Sequence, residues 1–283
     1  MNILTFFMLF INVFMGISND FNPIVLKPIV FKPIVLMHGI ESHAENLNEM
    51  ATWLENTFNR KVYNIELGDG NEYSTDTPLN IQIDLFNTVI SNITILNDGF
   101  DFIGISQGGL IGRGYVEKYD NKIDNLITLV SPHGGVYDKN LGFINFYNII
   151  SQKSLSFAGY WRDPTQYDKY LHRASFLPDI NNERLIINNK YKENMMKLKN
   201  FVMVYSPNDE IIKPPSSGIF NTFDANMNIL ELKDNTIYVE DKLGLRVLNN
   251  TNRLHMYHTN CTHVEHRMRI CFPQLYDIFI NYI

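Results

Sequence analysis

Residues 101–112 read DFIGISQGGLIG: an apolar run of strand character ends at a serine, and a glycine-rich run of helix character begins directly after it. A chain that passes from strand to helix within one residue has little room. The turn residue is strained, and bulky side chains beside it would clash with the neighbouring strand and helix. Gly104 and Gly108 flank Ser106 and relieve that crowding. This is the G-x-S-x-G spacing of a nucleophile elbow, which lifts the serine hydroxyl above the carboxyl edge of a sheet. The hydroxyl then lies at the N-terminus of the next helix, where the dipole and free N–H groups favour negative charge. The pentapeptide alone arises by chance in about one chain in ten of this length. The strand before it and the helix after it give it weight.

The surrounding chain supplies the sheet that an elbow needs. Ile34–Met37 reads as a buried strand running into HGIES, and residues 46–58 place Leu47, Met50, Trp53, Leu54 and Phe58 at helical spacing. KVYNIEL reads as a strand, residues 78–93 as a helix, GFDFIGI as a strand, 108–118 as a helix and 126–130 as a strand. Strands alternating with helices imply parallel pairing, and hence an α/β fold with a mostly parallel, doubly wound sheet. From about 136 to 198 the alternation stops, and a Tyr-, Phe-, Asn- and Lys-rich stretch reads as a helical insertion over the active site. A strand returns at 201–205, a β-rich piece including NTIYVEDKLGLRVL follows, and an amphipathic helix closes the chain around 272–282.

With 283 residues, 45% of them hydrophobic and 19% charged, the chain has material for one large domain over 19–283. A net charge of −6 and the lack of any long Lys/Arg block argue against a nucleic-acid surface. The first eighteen residues carry no charged side chain, and their apolar stretch is shorter than the roughly 20 residues that cross a bilayer. Residues 1–18 therefore read as a signal peptide, with Gly16 and Ser18 preceding the cut; nothing else resembles a membrane span. A secretory route fits the acceptor triplets at Asn92, Asn249 and Asn260, and makes Cys261 and Cys271 candidates for one disulfide. His263 and His266 lack a third ligand pattern, so no metal is expected, and no cofactor is implied.

A serine nucleophile needs a base, and the base needs an orienting acid, in this fold in the order Ser, acid, His. Asp209 follows the returning strand in YSPNDEIIKP; Glu210 is its rival, one residue further from the strand end. His263, in a loop before the last helix, is the favoured base, with His255, His258 and His266 as alternatives. The tetrahedral anion of acyl transfer requires two backbone N–H donors. Gln107 follows the nucleophile, and Ile40 follows the turn glycine of MHGIES, so these two are the candidates.

At VLMHGIES, GISQGGLIGR, GYWRDPTQYDKYLHRASFLPDINNER, SPNDEIIKP, GIFNTFDAN and VEDKLGLRVL, the chain resembles the palmitoyl-protein thioesterase family, most closely its second, lysosomal branch. The similarity runs from about Pro33 to the C-terminus, and the segment in the insertion is its most distinctive part. The resemblance implies an α/β-hydrolase fold with Ser106 as nucleophile, Asp209 as acid, His263 as base, and Ile40 and Gln107 as oxyanion donors. It further implies hydrolysis of long-chain acyl thioesters, palmitoyl-CoA-like or S-palmitoylated, through an acyl-enzyme. A lipase or carboxylesterase acting on oxygen esters, or a silent hydrolase-fold binding protein, are the alternatives. An acyl chain needs an apolar groove, for which Phe143, Phe157, Tyr160 and Trp161 are candidates. The expected location is lysosomal or extracellular.

Overall fold

The structure is a computed structural model that describes residues 31–119 and 122–283. The proposed signal peptide, 1–18, lies outside the described residues. The strands are β1 (Ile34–Met37), β2 (Val62–Ile65), β3 (Phe100–Ile105), β4 (Ile123–Leu129), β5 (Asn200–Tyr205), β6 (Thr222–Phe223), β7 (Ile229–Leu230) and β8 (Leu254–His258). Six of them form one sheet in the order β2-β1-β3-β4-β5-β8, every pair parallel. β6 and β7 pair antiparallel as a separate ribbon. The main sheet is thus the parallel α/β sheet that the strand–helix alternation requires.

The helices are α1 (Asn48–Phe58), α2 (Asn71–Asp76), α3 (Leu79–Ser91), α4 (Gln107–Lys118), α5 (Ile149–Ser154), α6 (Tyr167–Arg173), α7 (Leu177–Ile180), α8 (Asn189–Met195), α9 (Thr236–Val239), α10 (Leu245–Asn250) and α11 (Phe272–Phe279). They cover both faces, and the two-residue period of the strands divides the core accordingly. Val35, Met37, Phe100, Phe102, Phe201 and Met203 pack with α3 and α4 on one side. Ile34, Leu36, Ile103, Ile105, Val202 and Val204 pack with α1 and α11 on the other. Strands buried on both faces are apolar at successive positions, which is why they read as continuous runs.

One expectation fails. NTIYVEDKLGLRVL is helical, in α9 and α10, and not β-rich. Its Ile, Tyr and Val have strand propensity, but caps override it. Asn235 Oδ1 accepts from Ile237 N–H at 3.1 Å, and Asp241 Oδ1 from Arg246 N–H at 2.9 Å.

Strand order positions the site. From β1 the chain moves to the edge at β2, then returns to pair β3 on β1's other side. Connections thus diverge between the carboxyl ends of β1 and β3, and an open α/β sheet binds its ligand at such a crevice.

Candidate active site

Ser106 joins β3 to α4 at φ 55°, ψ −127°, backbone that L residues rarely adopt. Its N–H donates to Leu129 O at 2.8 Å, which fixes the turn to β4. The β1–β3 register pairs Met37 with Gly104 and carries both chains on to Gly39 and Ser106. A Cβ on Gly39 would lie 2.9 Å from Ser106 Cβ and 3.4 Å from its Oγ. A Cβ on Gly104 would lie 2.6 Å from Gly109 Cα, and one on Gly108 would strike the Met37 and His38 carbonyls. The glycines around the elbow are therefore imposed by named contacts.

The acid loop follows β5. Asp209 is buried, and its Oδ1 accepts from Ile211 N–H at 2.9 Å and Ile212 N–H at 2.8 Å. Its Oδ2 stands 2.8 Å from His263 Nδ1. A carboxylate facing Nδ1 favours the proton there and leaves Nε2 as the acceptor. Glu210, the rival acid, holds the same loop by its backbone instead, with Oε2 accepting from the His263 N–H at 3.0 Å.

The rival histidines are engaged elsewhere. His266 is buried, with Nδ1 2.8 Å from Thr262 O and Nε2 2.8 Å from Thr259 Oγ1. Burial holds its imidazole below the usual range. His255 Nε2 faces Asn200 Oδ1 at 3.0 Å, and His258 is exposed at the end of β8. Cys261 and Cys271 are bridged, with Cα atoms 6.0 Å apart, and close the loop that carries His263.

Ser106 and His263 line one cleft of about 230 Å³ together with Gly39, Ile40 and Arg267. His263 keeps its bond to Asp209, while among the described residues no hydrogen bond joins the Ser106 and His263 side chains. Such bonds commonly tighten only when substrate binds. The Ile40 and Gln107 N–H groups have no hydrogen-bond acceptor among the described residues. Behind them, buried His38 reaches Glu66 Oε1 through Nε2 at 2.7 Å and Gly39 O through Nδ1 at 2.8 Å. That brace was missed, because nothing local announces a pair 28 residues apart.

The acyl-groove candidates need correction: none of the four lines this cleft. Phe143 is 84% exposed. Tyr160 and Trp161 are core residues, and Phe157 packs on Phe146 at 5.4 Å and on Trp161 at 5.6 Å between ring centres. Aromatic composition marks apolar character and says nothing about which wall a ring forms. The apolar lining is Ile40, Leu47, Ile105, Ile211 and Val264. A larger concavity, about 910 Å³ between α1 and α11, contains none of the site residues.

A parallel sheet carrying a serine elbow, with an acid–histidine pair on later loops, defines a serine hydrolase of the α/β-hydrolase fold. Two solved structures share that fold at 14% identity. The monoacylglycerol lipase of Paleococcus ferrophilus has a TM-score of 0.51 over 89% of this chain and 95% of its own. The lin2722 product of Listeria innocua has 0.50 over 89% and 94%. The sequence profile of palmitoyl protein thioesterases matches residues 33–263, and the chain belongs to that family. It is 39% identical over 264 residues to palmitoyl-protein thioesterase 3 of Dictyostelium discoideum, covering 88% of this chain and 91% of the relative. It is 31% identical over 236 residues to the lysosomal thioesterase PPT2 homolog of Drosophila melanogaster, covering 78% and 81%. With the lysosomal thioesterase PPT2 of Mus musculus it shares 30% over 230 residues, 76% of each chain.

Proposed function

We propose that this thioester hydrolase cleaves long-chain fatty acyl thioesters with Ser106 as nucleophile, His263 as base and Asp209 as its orienting acid. The observation that carries the assignment is the Asp209–His263 hydrogen bond, 2.8 Å long, at a cleft that Ser106 and His263 share. Ser106 Oγ attacks the acyl carbon while its proton passes to His263 Nε2. The carbonyl oxygen, now an anion, accepts from the Ile40 and Gln107 N–H groups. The C–S bond breaks, and the departing sulfur, whose thiol has a pKa of about 8.5, carries off the proton from His263 Nε2 and leaves the imidazole neutral. Water then gives a proton to His263 and attacks the acyl-enzyme, and that proton passes to Ser106 Oγ as the fatty acid leaves.

The lysosomal names of several relatives support a secretory, lysosomal setting. The disulfide supports an oxidising compartment, and Asn92, Asn249 and Asn260 are exposed, as glycan acceptors must be. No helix among the described residues is long and apolar enough to cross a membrane.

The test compares palmitoyl-CoA with a matched palmitoyl oxygen ester, using Ser106→Ala as control. Faster thioester turnover that vanishes in the variant supports the proposal. Faster oxygen-ester turnover would make the chain an esterase. A fluorophosphonate that left Ser106 unlabelled would make it a silent binding protein.

A further inference from the structure

Displaced from the groove, Phe143 belongs to a different surface. Within residues 141–150, Leu141, Phe143, Ile144, Ile149 and Ile150 are 37%, 84%, 38%, 69% and 74% exposed. Five exposed apolar side chains in ten residues form the kind of patch that soluble surfaces avoid unless something covers it.

Their outward direction is built into the fold. The alternate residues hold the segment down: Phe146 packs on Trp161 at 4.8 Å, and Tyr147 Oη accepts from Asp163 N–H at 2.9 Å. Gln152 Nε2 donates to the carbonyls of Phe146 and Ala158, at 2.9 and 2.8 Å. Asn148 Oδ1 receives the N–H groups of Ile150 and Ser151, both at 2.9 Å. Phe143, Ile149 and Ile150 therefore face outward from a pinned segment.

Charge identifies the occupant. Lys139 and Lys153 flank the apolar tip, both exposed and without an ion pair among the described residues. No Asp or Glu occurs from 139 to 154, in a chain whose net charge is −6. Apolar side chains flanked by Lys139 and Lys153 suit an anionic bilayer surface, where the apolar groups enter the acyl boundary and the ammonium groups meet the headgroups. A second exposed pair, Leu185 and Ile186, lies among Arg184, Glu240 and Lys242, whose mixed signs give no such preference.

The roots of the segment lie beside the site. Tyr137 N–H donates to Lys213 O at 2.9 Å, and Lys213 follows the Asp209 loop. At the other end Ser156 N–H donates to Thr75 O at 2.9 Å, next to Ser74, whose carbonyl holds the Gln107 side chain at 2.7 Å.

The geometry points to residues 139–153 as a docking loop that seats this protein on an anionic membrane, its roots tied to the chain next to Asp209 and Gln107. This goes beyond the hydrolytic reading and stands without it, because binding is measured on the Ser106→Ala protein. The probe is co-sedimentation with vesicles of phosphatidylcholine, with and without phosphatidylserine. The protein is expected to bind the anionic vesicles. Phe143→Ser/Ile149→Ser/Ile150→Ser should weaken that binding by roughly tenfold or more. Lys139→Gln/Lys153→Gln should lower the preference for phosphatidylserine by about thirtyfold. Unchanged circular dichroism of both variants shows that folding is intact, and Leu185→Ser/Ile186→Ser should bind as the parent does. Three results overturn the proposal: no vesicle binding by the parent, loss only in the Leu185/Ile186 variant, or a dimer in sedimentation velocity that the triple variant splits.

Discussion

His263 Nδ1 stands 2.8 Å from Asp209 Oδ2, across 54 residues of sequence. The other oxygen, Oδ1, is held by the N–H groups of Ile211 and Ile212, so the carboxylate cannot rotate away without losing both. One residue thus fixes its own loop and the orientation of the imidazole.

Asp209→Asn separates these two roles. The amide oxygen can still accept from Ile211 and Ile212, but the amide NH₂ offers His263 Nδ1 a donor. The proton then moves to Nε2, and the ring can no longer accept from Ser106. Turnover of palmitoyl-CoA should fall roughly 10⁴-fold with the unfolding midpoint little changed. A loss under tenfold would remove Asp209 from the role.

Gly39→Ala tests the approach of β1 to the elbow. The new methyl would lie 2.9 Å from Ser106 Cβ, inside van der Waals contact. Displacing the nucleophile or the Ile40 loop by a fraction of an ångström should reduce kcat about 10²-fold. Overpacking should lower stability by about 1–3 kcal/mol in urea unfolding.

Removing the disulfide should act on both stability and rate. Cys261→Ser/Cys271→Ser opens the loop that carries His263 and His266. The expected loss is about 2–4 kcal/mol, read from denaturant unfolding. The intact protein should lose activity in dithiothreitol, and the variant should not respond to it.

His266 gives stability a pH dependence. Burial keeps its imidazole below the usual range, so the unfolded chain takes up a proton at higher pH than the folded one does. The stability this residue contributes is complete above the unfolded value, about 6.5, and is lost as pH falls through the folded value. Melting temperatures between pH 7 and 5 should decline less in His266→Gln than in the parent. Equal declines would remove His266 as a source.

Glu117 acts in the opposite direction. It lies fully buried against Arg113 Nη1 at 2.9 Å, yet burial outweighs the guanidinium and pushes its carboxyl up to about 8. The folded state then holds a proton that the unfolded state releases near 4.5. Its contribution is complete at low pH and is lost as pH rises from there towards about 8. Glu117→Gln should abolish that decline, whatever it does to absolute stability. The measurement is the slope of unfolding free energy against pH.

Much of the framework was legible because its signals are local. Strand and helix periods in 34–130 arise from which side of each element is buried, and the Ser106 turn from crowding within five residues. The strand and helix expected on either side of Ser106 are present as β3 and α4. Local signals misled at 235–250, where Ile, Tyr and Val suggested strands and the side-chain caps of Asn235 and Asp241 favour helices. They misled again at Phe143, whose hydrophobicity suggested a groove wall.

By itself, then, the sequence determined the alternation of elements, the glycines of the elbow and the order in which serine, acid and histidine occur. Those follow from sterics and periodicity over a few residues. Only the tertiary structure decided that His263 faces Asp209 while His266 is sealed between two threonines. It alone decided that Glu210 holds a backbone amide and that His38 braces the loop of Gly39. Partnerships of this kind depend on where β5, β8 and the loops beyond them meet, and no short window of sequence encodes a meeting between residues tens of positions apart.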